Sequence, residues 1–145
     1  MVMTMNAQFG VIFALVTVEC AIGIARYSQS VGVQGQLLCN GQPAKDVLVK
    51  LYEKHDFLDT LMDKGSSDSN GRFRLGGSSP QSRRITPVLN VYHDCNDGWK
   101  LCQRKLSFPI PSEYVSEGTT PTRFYNIGEF ELSPLADGEQ RDCFH

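Results

Sequence analysis

Beyond residue 30, apolar and polar side chains alternate with a period of two in short runs separated by turn residues. That period places successive side chains on opposite faces of a strand. Residues 32–39 put Val33, Gly35, Leu37 and Cys39 on one face, and Asn40, Gly41, Gln42 and Pro43 then turn the chain. Residues 47–52 alternate Val47, Val49 and Leu51 with Leu48, Lys50 and Tyr52. A polar connection at 53–56 leads to a short apolar segment at 57–62. Asp68, Ser69, Asn70 and Gly71 make another turn, after which Phe73 and Leu75 face inward. Residues 76–87 are a polar connection carrying Arg83 and Arg84. Residues 88–95 give the clearest strand and 104–110 mirror it, with Pro109 and Pro111 marking an edge or a strand end. Ser112 is expected to cap one helical turn within 112–117, and 124–132 is the last strand, with a bulge at Gly128. About seven short strands with regular turns and almost no helix predict an all-β sandwich. The expected core is Val33, Leu37, Val49, Leu51, Phe73, Leu75, Leu89, Val91, Leu106, Phe108, Ile127 and Phe130.

The N-terminus follows a different pattern. Its apolar run, 9–18, is far shorter than the roughly 20 residues that span a bilayer, and it matches the hydrophobic region of a cleavable signal. Small residues follow at Ala21, Gly23 and Ala25, although no Lys or Arg precedes the run. Residues 1–25 are therefore expected to be a signal peptide and 26–145 a single secreted, extracellular domain with no membrane span. Loss of the signal removes Glu19, leaving 14 basic residues against 15 acidic ones. That balance argues against nonspecific nucleic-acid binding, which calls for a strongly basic domain. No Asn-x-Ser/Thr sequon occurs.

Signal removal also takes Cys20, so four cysteines remain: Cys39, Cys95, Cys102 and Cys143. An even set in a small secreted chain is a disulfide framework. The segment VYHDCNDGWKLCQRK, 91–105, admits three readings. Zinc could use His93, Cys95 and Cys102, but the spacing is wrong and a fourth ligand is missing. A redox pair would be Cys-x-x-Cys. The third is a hairpin turning at Asn96, Asp97 and Gly98, with Cys95 and Cys102 bridged across its mouth. The last is the expectation, with Cys39 and Cys143 left to each other, although four cysteines allow three pairings. Asp68, Asn70 and Gly71 resemble part of a calcium loop, but the other ligand positions are missing. No metal and no cofactor is expected.

Several segments in order resemble the nematode transthyretin-like family: VQGQLLCNGQPA (33–44), VKLY (49–52), DSNGRFRL (68–75), YHDCN (92–96), CQRK (102–105), IPSEY (110–114) and EQRDC (139–143). The resemblance covers nearly all of the mature domain. It implies a secreted, disulfide-bonded, prealbumin-like sandwich. It also implies a range of roles, among them binding phosphatidylserine and bridging dying cells to a phagocytic receptor, or extracellular signalling.

Three classes of function are therefore weighed. The first is a binding module for a cell-surface protein receptor and anionic phospholipid headgroups. Lipid contact would use Trp99, Lys100, Arg104 and Lys105, with Arg83 and Arg84 on a neighbouring loop, because Trp favours the membrane interface and cations favour anionic headgroups. The second is an enzyme like the 5-hydroxyisourate hydrolases that resemble transthyretin. Those need paired histidines, an arginine and a C-terminal Tyr-Arg-Gly-Ser. Here His55, His93 and His145 are scattered and the chain ends RDCFH, so no catalytic residue is expected. The third is a carrier of a small hydrophobic ligand, which would require a tetramer.

Overall fold

The computed structural model describes residues 26–145; the expected signal segment, 1–25, lies outside the described residues. Ten strands follow one another: β1 (Tyr27–Cys39), β2 (Gln42–Pro43), β3 (Leu48–Glu53), β4 (Thr60–Ser66), β5 (Arg72–Gln81), β6 (Pro87–His93), β7 (Gln103–Pro109), β8 (Ser116–Glu117), β9 (Phe124–Glu131) and β10 (Gln140–Asp142). The expected helical turn is a 3-10 turn, Ser112–Tyr114, preceded by Pro111. Ser112 makes no side-chain cap there, and Ser116 and Glu117 belong to β8 instead.

Two sheets form the sandwich. In the first, β1 is the hub: β5 pairs with it antiparallel from Tyr27 to Gln36, β9 pairs with it parallel, and β2 and β8 add short ladders. Gly128 (φ 74°) supplies the bulge expected in β9, where Ile127 and Gly128 together oppose the single residue Gly35 of β1. The second sheet runs β10-β7-β6-β3-β4, antiparallel throughout.

Alternation builds the core between them. Val31, Val33 and Leu37 of β1 and Phe73 and Leu75 of β5 meet Val49, Leu51, Leu89, Val91 and Leu106 of the second sheet, all buried. Phe108, Ile127 and Phe130 pack at its margin, half-buried. The turn at Asp68 is closed by its own side chain, whose Oδ1 accepts from the Asn70 and Arg72 N–H groups at 2.9 Å each. Gly71 (φ 74°) is required there, since a Cβ would sit 2.2 Å from the Leu37 carbonyl oxygen.

β6 sets the long dimension. Its seven residues hold the two ends of the sandwich roughly 20 Å apart. At the Pro87 end lie loops 54–59 and 82–86; at the His93 end lie loops 94–102 and 133–139 and the turn after β1.

Candidate functional site

Loop 94–102 leaves β6 through two residues with positive φ, Asn96 (55°) and Gly98 (59°), and a turn in which the Asp97 N–H donates to the Asp94 carbonyl. The ladder therefore stops at His93 opposite Arg104, and the two cysteines beyond it diverge. This corrects the expected pairing. Cys95 bonds to Cys39 and links the two sheets, with a Cα separation of 5.8 Å. Cys102 bonds to Cys143, extending the β7–β10 register by one residue, with a Cα separation of 4.2 Å. Each cysteine of the loop has a partner on a neighbouring element that the open turn makes nearer than the other. After the first bridge, Asn40 and Asn96 exchange reciprocal amide hydrogen bonds of 2.8 and 2.9 Å. The Glu131 carboxylate caps the same corner, accepting from the Asn40, Gly41 and Ser133 N–H groups. The Ser133 hydroxyl foremost, and then the N–H groups of Gly41, Ser133 and Asn40, pull its pKa down to about 2.

Arg104 is not a surface residue. It is 3% exposed, and all five of its N–H donors are engaged. Nε and Nη2 fork onto Glu139, Nη1 donates to the Cys95 and Ser133 carbonyls, and Nη2 also donates to the Pro134 carbonyl. The guanidinium thus ties the base of loop 94–102 to loop 133–139. Its hydrogen bonds, and secondarily its charge, hold the Glu139 carboxyl below the usual carboxylate range. A second fork, from Arg141 to the buried Asp97 carboxylate at 2.6 and 2.8 Å, ties the loop to β10, and it lowers the Asp97 pKa in the same way. Lys105 is also spoken for: it is half-buried, 3.5 Å from Asp142, with Nζ over the Tyr92 ring. Arg83 and Arg84 sit at the opposite end of β6, so they are not neighbours of Trp99.

Of the six residues expected to touch lipid, two remain on this loop. Trp99 is fully exposed and covers nothing, and Lys100 is mostly exposed, its Nζ 3.9 Å from Asp97. Sequence reasoning missed a third member: Leu101 is also fully exposed. An apolar residue beside the only tryptophan, inside a loop, was the available signal. Two large apolar side chains thus stand in solvent on a loop that two disulfides, two arginine forks and an amide pair hold rigid.

His93 lies under this loop, 2% exposed. Its Nδ1 accepts from the Cys95 N–H at 3.1 Å, so the proton of the neutral ring is on Nε2, which has no partner among the described residues. Burial, with the Arg104 charge beside it, pushes its pKa below the ordinary 6.5. The folded protein therefore keeps His93 neutral while the unfolded chain binds a proton as pH falls through 6.5, so stability is full above that value and declines below it. The depressed carboxylates act only at lower pH. Denaturant midpoints measured between pH 7.5 and 5 are expected to fall in the wild type and to flatten in His93→Gln. Equal slopes in the two proteins would exclude this origin.

The structure is thus that of a small disulfide-bonded β-sandwich with a braced loop at one end. The chain belongs to the transthyretin-like family, whose profile matches residues 34–111. It is 43% identical over 136 residues to Transthyretin-like protein 5 of Caenorhabditis elegans, covering 92% of this chain and 98% of that one. To Transthyretin-like protein 33 of the same nematode it is 44% identical over 129 residues, covering 87% and 90%. To Transthyretin-like protein 2 it is 38% identical over 125 residues, covering 81% and 84%.

Proposed function

We propose that this chain is a secreted, non-catalytic binding module that docks on phosphatidylserine-bearing cell surfaces through residues 99–101 and presents the rest of its surface to a protein receptor. The observation that supports this is the full exposure of Trp99 and Leu101 on a braced loop. Rigid apolar tips enter a membrane interface without an ordering cost, and Trp favours that depth. Lys100 adds about 1 kcal/mol toward an anionic surface. Two disulfides are compatible with secretion, and among the described residues no helix is long and apolar enough to cross a membrane.

Trp99 is the chain's only tryptophan, so its fluorescence reads the proposed contact directly. On adding phosphatidylserine vesicles to the oxidised protein, its emission is expected to shift to the blue and to be quenched by brominated lipid. With only one exposed lysine on the tip, the shift should change little with salt. An emission spectrum indifferent to vesicles would remove this loop from the contact.

A further inference from the structure

The opposite end carries its own apolar tips. Phe57 is fully exposed and Leu58 nearly so, on loop 54–59, and Tyr27, paired with Gln81 at the start of β1, is half exposed at the same end. Loop 54–59 is fixed at its base: the Lys54 N–H donates to the Thr86 carbonyl, and Asp59 holds both Lys54 Nζ and the His55 N–H. Facing it across an open groove of about 620 Å³ are Arg83 and Arg84. The buried Gln29 amide positions them, donating to the Arg83 carbonyl and accepting from the Ile85 N–H. The groove's acids are largely spent: Asp59 on Lys54, and Glu53 on Gln81 and His55. Asp56 stands on the same loop. Among the described residues neither guanidinium is in an ion pair, and Arg84 meets only the Ser112 carbonyl.

We infer that this end is a second membrane-docking surface, taking anionic phospholipid headgroups between Arg83 and Arg84 while Phe57 and Leu58 enter the bilayer interface. Exposed apolar tips beside unneutralised guanidiniums are the pattern of an anionic membrane contact. A soluble oxyanion would use the cations and leave the tips in water. Because β6 holds the two ends apart and facing opposite ways, one molecule can hold two membranes together. The inference rests on the Trp99 contact for one of its two ends. It adds a tethering activity, with the stronger headgroup selectivity at the end that lacks Trp99.

The experiment is vesicle aggregation, read by light scattering, beside co-sedimentation and Trp99 emission, with phosphatidylserine vesicles and the full mature chain. Wild type is expected to aggregate vesicles, and at least tenfold less at high salt. Trp99→Ser with Leu101→Ser, and Phe57→Ser with Leu58→Ser, should each still co-sediment yet lose aggregation at least tenfold. All four side chains are exposed, and unchanged melting of each variant checks its fold. Arg83→Glu with Arg84→Glu should behave like the second variant, and excess glycerophosphate should not compete. Mixing the two serine variants must not restore aggregation, since both ends belong on one molecule. Aggregation by the Phe57 and Leu58 variant, or its return in the mixture, would overturn the tether. Absent aggregation with an intact Trp99 shift would overturn it alone and spare the first contact. Vesicle binding without a Trp99 shift would overturn both, leaving a single-ended protein.

Discussion

Replacing Arg104 by Ala is expected to remove about 3–5 kcal/mol of folding stability, the usual cost of stripping one partner from a buried ion pair. The loss is not that of one salt bridge. Glu139 would keep its charge without the fork that neutralises it, and the Cys95 and Pro134 carbonyls would lose their donor. For a domain of this size the melting temperature should fall by roughly 10–20 °C. Arg104→Met combined with Glu139→Leu should recover much of that, because an apolar pair leaves no buried charge behind. A drop of less than about 1 kcal/mol in the single variant would mean that the pair is solvated, as in surface ion pairs, and the weld between the two loops would have to be abandoned.

The second large effect belongs to the bridge between the sheets. Non-reducing peptide mapping is expected to recover Cys39 joined to Cys95 and Cys102 joined to Cys143. Replacing Cys39 and Cys95 together by Ala should cost about 4 kcal/mol, from the closure entropy of a loop spanning 56 positions. The other bridge spans 41 positions, and entropy alone gives it a similar value. It holds only a three-residue edge strand, however. Its loss should appear first as faster amide exchange in β10 and only weakly in the global melting curve. A peptide joining Cys95 to Cys102 would refute the register drawn here.

The strands were legible because alternation and turn residues speak to each other. Six of the seven long strands appear in the sequence pattern, often short: β1 starts five residues earlier than expected and β5 runs on to Gln81. β4 read only as an apolar fragment, since its exposed Leu61 and Lys64 and its half-buried Asp63 blur any period. β2, β8 and β10 hold two or three residues each, too few to show one. Arg104 was misplaced although the signal was present. It shares parity with Leu106 and Phe108, both assigned to the core, so alternation points it inward; its charge argued for the surface and lost to Glu139, 35 residues away. The cysteine pairing was less accessible. Cys95 and Cys102 would be directly opposite if the ladder continued, and only the three-dimensional approach of Cys39 and Cys143 decides otherwise.

The position of β1 at the centre of its sheet governs when the protein can fold. Its neighbours are drawn from residues 72–81 on one hand and 116–131 on the other, so the parallel pairing of Val33 with Tyr125 spans more than half the chain. A ribosome delivers β1 before any of its long partners, and that strand must wait for residues 116–131 before its hydrogen bonds can be completed. Sheets closed by such distant segments fold in milliseconds to seconds rather than microseconds. During that interval thirteen residues of open strand are available to the wrong partner.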